Sequence, residues 1–314
     1  MSMNARERII KQLKGEEVDR IPCYSGMGNV TTAGLNEYGY KFSEVHTDAK
    51  KMADVAASSY RLFGYECSIV PFDLCVEAEA LGCEMNAYDE VAQLLYPTIK
   101  SKVMNEPSKE LAGFKLDLNG LKDKGRLPVM VDAIKRLKQD IGNDVAIGAY
   151  ILGPYTLAGQ IMSLDDLFKL TFKKADDVNA LLDQLADALI IIGKLYQEAG
   201  ADYICVREMG ATSDILSPRS FKKVVAQMNE CGAHSISLEA KNDMAQTRAD
   251  IGWEPLVFGA IDSFNVLVNG SPDDVKAATL KNIEDGVDAL WPSCDIWPDA
   301  PVENLKAMVD TVKE

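Results

Sequence analysis

Gly200-Ala-Asp-Tyr-Ile-Cys-Val-Arg207-Glu208 is the stretch whose reading decides the fold. A glycine, any residue and an acid lead into a short apolar run that ends in charge. The same grammar returns at Gly64-Tyr-Glu-Cys-Ser-Ile-Val-Pro-Phe-Asp73, at Gly252-Trp-Glu-Pro-Leu-Val-Phe-Gly-Ala-Ile-Asp262 and at Gly286-Val-Asp-Ala-Leu-Trp-Pro-Ser-Cys294-Asp295. Such self-similarity marks a repeated supersecondary unit. Glycine suits the left-handed position that closes a helix. Apolar runs without alternation suit parallel strands covered on both faces. Helices alternating with parallel strands give α/β architecture, and eight such units closing on themselves take about 250 residues. The expected fold is an α/β TIM (β/α)8 barrel with N-terminal additions. An open doubly wound sheet is the alternative, but no GxGxxG stands between a strand and a helix.

Working outward, Ser235-Ile-Ser-Leu-Glu-Ala-Lys-Asn-Asp243 reads as a short strand followed by a carboxylate, an amine, an amide and a second carboxylate. Burying unpaired charge is costly, so a strand ending in such a cluster invites a use for it. In a barrel the residues just past the strands share one mouth, where catalysis sits. That rule gathers Asp73, Arg207, Glu208, Glu239, Lys241, Asp262, Cys294 and Asp295. Helices are expected over Asn4–Leu13, Thr47–Phe63 with Thr47 or Asp48 as cap, Pro128–Ile141, and after Ser163. Val178, Leu181, Leu182, Leu185, Leu189, Ile192 and Tyr196 keep helical spacing over a long stretch. Strands are expected at Arg20–Tyr24 and Val145–Tyr150, whereas Pro107–Gly125 reads as polar and irregular.

The 314 residues, 47% of them hydrophobic, suffice for one barrel domain over 1–314 with an extension at about residues 1–20. A formal net charge of -15 argues against nucleic acid and anionic membranes as partners. No apolar run spans a bilayer, and the N-terminus lacks a signal-type stretch, so a cytoplasmic protein is expected. The seven cysteines are then expected as thiols. Cys67, Cys75 and Cys83 lack zinc-finger spacing and read as buried small side chains.

Pro71-Phe-Asp-Leu-Cys-Val-Glu-Ala-Glu-Ala-Leu-Gly-Cys-Glu84 resembles the uroporphyrinogen decarboxylase superfamily, and within it the corrinoid-dependent methyltransferases. Gly153-Pro-Tyr-Thr-Leu-Ala158, Gly270-Ser-Pro-Asp-Asp-Val275 and Cys294-Asp-Ile-Trp-Pro-Asp-Ala-Pro-Val-Glu-Asn-Leu305 are similar to the same group. The resemblance runs from about Arg6 to the C-terminus and implies a TIM barrel. Departures separate the branches. The decarboxylases' N-terminal arginine-rich motif is replaced by Ser25-Gly-Met-Gly-Asn29, and their tyrosine after Pro-x-Thr-Leu-Ala by Gln160, although Asp73 matches. The methyltransferases' zinc motif His-x-Cys becomes Glu239-x-Lys241, leaving Cys294 of the set. The Asp-x-His-x-x-Gly signature of a corrinoid domain fits neither His46 nor His234. The corrinoid is therefore expected on a partner protein.

The resemblance implies a methyltransferase that moves a methyl group between a small methylated substrate and that corrinoid protein. The favoured direction is demethylation of a methyl ether such as a methoxylated aromatic. Thiol methylation of the coenzyme M type, decarboxylation and a non-catalytic ligand-binding barrel stand as alternatives. The leaving atom in a demethylation gathers negative charge and wants a proton, a cation or a Lewis acid. Asp73, Glu208, Glu239 and Lys241 are the expected catalytic residues. Asn29, Glu77, Tyr155 and Trp297 are expected to line the substrate site. Glu239 and Cys294 are the candidate ligands of a zinc ion.

Overall fold

A computed structural model describes residues 3–90, 94–209, 227–228 and 230–314. Within them the chain runs α1 (Ala5–Leu13), α2 (Thr32–Tyr38), α3 (Ala49–Phe63), β1 (Cys67–Val70), α4 (Val76–Ala80), β2 (Glu84–Asn86), β3 (Thr98–Ser101), α5 (Pro107–Glu110), α6 (Leu127–Asp140) and β4 (Ala146–Leu152). It continues through α7 (Pro154–Ile161), α8 (Leu164–Lys173), α9 (Ala175–Ala199), β5 (Tyr203–Arg207), β6 (Ser235–Ser237), α10 (Met244–Ile251), β7 (Leu256–Ile261), α11 (Pro272–Glu284), β8 (Ala289–Pro292) and α12 (Val302–Thr311). The helix starts obey local chemistry. Asn4, Thr31, Asp48, Ser163, Asp243 and Ser271 each accept a backbone N–H of the first turn. The long apolar spacing predicted a helix over Val178–Tyr196, and α9 spans Ala175–Ala199.

Strands β1, β4 and β5 form one parallel arc, and β6, β7 and β8 form another. The segment around Cys23 joins them. Leu290 N donates to Pro22 O at 2.9 Å, Tyr24 N to Leu290 O at 3.1 Å, and Glu66 N to Cys23 O at 3.2 Å. The order β6-β7-β8-Cys23-β1-β4-β5 is the wound α/β barrel architecture the repeat predicted, with all strand ends of one sense on one side. Among the described residues no ladder joins β5 to β6. The sequence did not announce the antiparallel pair β2–β3, which interrupts the path from β1 to β4.

The repeat grammar has a physical reason. The four repeat glycines all have positive φ: 71° at Gly64, 117° at Gly200, 81° at Gly252 and 85° at Gly286. Gly252, with ψ of -171°, lies outside the left-handed helical region that the others were expected to share. The acid two residues on pins the neighbouring strand. Cys23 N donates to Glu66 Oε2 at 2.8 Å, Ile147 N to Asp202 Oδ2 at 3.0 Å, and Val257 N to Asp288 Oδ2 at 2.8 Å. Each of these acids is also held by cations: Glu66 by Arg8 and Arg20, Asp202 by Arg6 and Lys138, Asp288 by Arg248. The acids therefore lock the end of the barrel where the strands begin, and the residues after the strands are left for chemistry.

Separate clusters of buried apolar residues surround this ring. Leu127, Met130, Ile134, Leu137, Leu181, Leu185, Leu189 and Ile192 from α6 and α9 pack around β1 and β4. Val275, Leu305, Met308 and Val309 from α11 and α12 pack around β7 and β8. All seven cysteines are free, and Cys67, Cys75 and Cys83 are buried as expected. Burial first, then the neighbouring Asp73, pushes the Cys75 thiol up to about 12. No helix among the described residues is long and apolar enough to cross a membrane.

Candidate active site

Side chains alternate along a strand, so Tyr203, Cys205 and Arg207 of β5 share one face. That face looks into the barrel. Tyr203 donates its hydroxyl to Ser25 O, and its ring stands edge-on to Tyr24 at 5.6 Å. The strand next door makes room: a Cβ on Gly148 would sit 2.4 Å from the Tyr203 ring. Phe258 and Trp291 complete this aromatic floor, so Trp291 is barrel packing. One layer higher a Cβ on Gly26 would meet Trp291 at 2.1 Å and the Cys205 sulfur at 2.6 Å.

Arg207 forms the next layer, at the mouth. Its guanidinium lies over the Tyr150 ring of β4, 5.2 Å from the centroid, and the Tyr150 hydroxyl donates to Asp73 O at 2.8 Å. Across the lumen Arg207 Nη1 reaches Asp295 Oδ1 at 3.4 Å. Residues of β4 and β5 and residues just past β1 and β8 thus meet at this end of the barrel. Burial raises the Asp295 carboxyl above the ordinary carboxylate range, and Arg207 opposes this. Burial, then Asp295, raises the Cys294 thiol, again against Arg207. The charge of Asp295, Cys294 and Asp73 reaches the half-buried Tyr96, whose hydroxyl burial already holds high. Tyr96 also packs its ring 5.8 Å from His46.

Two predicted catalytic carboxylates are occupied elsewhere. Asp73 is 2% exposed. Arg126 grips both its oxygens at 2.7 and 2.9 Å, His46 Nδ1 lies at 3.0 Å, and Cys75 N donates at 2.9 Å. Burial would raise its pKa, but Arg126 and then His46 outweigh it and hold the carboxyl far below the ordinary range. A carboxylate so saturated positions the β1 end and offers no oxygen to a substrate. Glu208 turns to α7: Tyr155 N and Thr156 N donate to it at 3.1 and 2.8 Å, and the Thr156 hydroxyl bonds it as well. These bonds place it over the N-terminus of α7.

The remaining expectations divide. Glu239 is half-buried and Lys241 exposed on the turn after β6, where Asn242 N donates to Glu239 O at 3.0 Å. Burial would raise Asp262 just past β7, but Asn265, Phe264 and then the charge of Lys241 hold it low. The β6 and β7 ends therefore face each other at the rim. Trp297 is 48% exposed and its ring lies tilted 5.3 Å from that of Phe264, itself 49% exposed, so an exposed aromatic pair stands near the ends of β7 and β8. Tyr155 lies in the first turn of α7, not on a strand end, and its hydroxyl is tied to Thr171 of α8 at 3.1 Å. That contact holds the ring against α8. Glu77 is fully buried on α4, where Leu152 N donates to Oε1 at 3.2 Å and Oε2 has no hydrogen-bond partner among the described residues. Burial lifts its pKa to about 7. Asn29 is 2% exposed, and neither atom of its amide has a hydrogen-bond partner among the described residues.

Among the described residues no three His, Cys, Asp or Glu side chains are grouped to hold a metal ion. Lys241 at the position of a zinc thiolate brings positive charge towards a cation, so the donor set Glu239, Lys241 and Cys294 does not fit zinc bound in the relatives' manner. Reading the sequence missed Arg126 and His46 as the partners of Asp73, because they lie 53 and 27 residues away. It gathered Arg207 and Asp295 at the mouth but named no chemistry for them. The alternation Tyr203-x-Cys205-x-Arg207 was the signal that aims Arg207 inward.

The family model for uroporphyrinogen decarboxylase (URO-D) matches residues 4–228 and 223–314. A methylcobamide:CoM methyltransferase MtaA of Methanosarcina barkeri is 30% identical, with 97% of this chain and 96% of the relative covered. A methylcobamide:CoM methyltransferase MtbA of Methanosarcina acetivorans is 30% identical, with 98% and 97% covered. The solved structure of a methyltransferase from Methanosarcina mazei superposes with a TM-score of 0.90 at 29% identity, covering 99% of both chains. With the barrel and nearly its whole length matched, the chain belongs to the uroporphyrinogen decarboxylase (URO-D) family.

Proposed function

We propose that the protein moves a methyl group between a small substrate in the barrel mouth and a corrinoid carried by a separate protein. The observation that carries this reading is full-length likeness to enzymes named for methylcobamide and coenzyme M. A bound corrinoid supplies the cobalt centre at which the methyl group is exchanged. The chain shows no corrinoid signature of its own, and His46 is buried against Asp73. A docked partner is the source consistent with both facts.

The favoured direction is demethylation of a methyl ether. A leaving oxygen needs positive charge, and Arg207 and Lys241 belong to the mouth and its rim. The exposed Phe264–Trp297 pair suits an aromatic substrate or the approaching partner. Methylation of a thiol is the second reading, favoured by the relatives' names and opposed by the exchange of His-x-Cys for Glu239-x-Lys241. Two assays separate them. Reduced cobalamin is mixed with the protein and methoxylated aromatics or methylamines, and methylcobalamin with the protein and thiols. Methylcobalamin formation from a methoxylated aromatic is the expected result. Thiol methylation alone reverses the direction, and transfer in neither assay, with a corrinoid protein also supplied, removes the reading.

A further inference from the structure

Tyrosine hydroxyls around the barrel lumen are mostly spoken for. Tyr203 donates to Ser25 O, Tyr150 to Asp73 O at 2.8 Å, and Tyr24 to Gln12 Oε1 at 3.4 Å. Tyr96 differs. It stands on the segment that leads from β2 into β3, the antiparallel pair inserted between β1 and β4. The residue after it is tied down: the Cys75 thiol donates to Pro97 O at 3.2 Å, and Cys75 N donates to Asp73 just past β1. The Tyr96 ring is gripped edge-on by Phe42 at 4.9 Å and by His46 at 5.8 Å, both of them buried. Its hydroxyl nevertheless makes no hydrogen bond to a described residue. The charges that act on that hydroxyl come from Asp295 and Cys294, past β8, and then from Asp73, past β1. The phenol group therefore stands between those two strand ends, at the mouth where Arg207 meets Asp295.

We propose that Tyr96 is a catalytic hydrogen-bond donor, its hydroxyl contacting the oxygen that parts from the methyl group. This rests on the demethylation reading of the mouth. In that reaction the bond between the methyl carbon and the ether oxygen breaks, and its electron pair stays on the oxygen. The reduced corrinoid of the partner supplies the pair for the new bond to the methyl carbon. Negative charge grows on the oxygen as the old bond stretches, and a donor already in place stabilises it best where water is excluded. Burial and the neighbouring carboxylates hold the Tyr96 hydroxyl protonated, so it donates without giving up its proton. The departed oxygen takes its proton from solvent on release. A ring gripped on two sides keeps its rotamer, so little conformational freedom is left to lose when the substrate arrives.

Tyr96→Phe removes the hydroxyl and keeps the ring against Phe42 and His46, so an unchanged melting temperature is expected. Wild type and variant are assayed with reduced cobalamin and two ethers, 4-methylanisole and 4-nitroanisole. The first releases a poorly stabilised oxygen, whereas the nitro group of the second already spreads the charge. For 4-methylanisole the variant is expected to lose about tenfold to a hundredfold in kcat, with KM nearly unchanged. The loss for 4-nitroanisole is expected to be smaller. Unchanged kcat, or an equal loss for both ethers, overturns the proposal, since a merely structural role would not tell the leaving groups apart. A second readout needs no transfer. The absorbance of 4-nitrophenol bound to the protein reports its own ionisation, and its pKa in the wild-type complex is expected to lie about one unit below that in the Tyr96→Phe complex. The same pKa in both complexes, or no complex with either protein at millimolar concentration, also overturns the proposal. The two ideas fail separately. A pKa difference without methyl transfer retains the Tyr96 donor and removes the demethylation reading. Transfer at equal rates by both proteins does the reverse.

Discussion

Glu77 shows how one buried carboxyl couples the interior to pH. Its ordinary value of 4.5 rises to about 7, because burial disfavours the charge and Leu152 N stabilises it only in part. A carboxyl raised in the folded state adds stability that is complete below pH 4.5 and is lost as pH climbs to about 7. The difference across that window is on the order of 3 kcal/mol. Glu77→Gln is therefore expected to match the wild type near pH 4 and to exceed it in urea-melt stability above pH 7. Equal pH slopes in the two proteins would count against a protonated Glu77. The mouth and the helix caps predict opposite responses at two other acids. Glu239→Ala is expected to lower methyl transfer by about a hundredfold with an unchanged melting temperature. Glu208→Ala is expected to cost about 1–2 kcal/mol of stability, since it uncaps α7. Steady-state rates and thermal melts on the same preparations read both, and full activity in Glu239→Ala removes that residue from the chemistry.

At the scale of elements, the strand-opening acids do the joining. Asp202 receives the Ile147 N–H of β4, and its own N–H reaches Ile147 O at 2.6 Å. Asp288 treats Val257 of β7 the same way, with the backbone bond at 2.8 Å. Replacing Asp202 by Ala leaves a backbone donor and Lys138 short of a partner, which is expected to cost about 1–3 kcal/mol. Glu254→Ala is the control: it occupies the same place in the repeat but is exposed. Denaturant melts should show a clear loss for Asp202→Ala and little change for Glu254→Ala. Equal losses would mean that the acid acts through something other than the strand bond. The repeat grammar was legible because helix end, glycine, acid and strand are neighbours in sequence. The β2–β3 pair was not, because its residues are half-exposed or exposed and lack the apolar alternation that marks a strand.

For the whole molecule, the segment around Cys23 is the hinge pin between the two arcs of the barrel. It supplies both backbone bonds to Leu290 and the N–H that Glu66 receives. Glu66 also binds Arg8 and Arg20 from the same N-terminal stretch. A variant lacking residues 1–24 would leave Leu290 and a buried carboxylate unpaired at once. It is expected to lose its near-ultraviolet circular dichroism and to bind hydrophobic dyes, whereas removal of residues 1–2 should be silent. A native near-ultraviolet spectrum in the longer truncation would show that the arcs close without this segment.

The sequence alone determined the α/β barrel class, the long helix, the caps and the family likeness, because each rests on neighbours along the chain or on motifs read whole. It also listed the charged residues that follow the strands. Tertiary structure decided which of those charges were already spoken for. Arg126 and His46 claim Asp73, and the first turn of α7 claims Glu208. Arg207 and Asp295, 88 residues apart, meet across the lumen. The reason is physical: a carboxylate or guanidinium is available for chemistry only if its partners leave an oxygen or an N–H free. Those partners come from distant strands and helices that only closure of the barrel brings within hydrogen-bond reach.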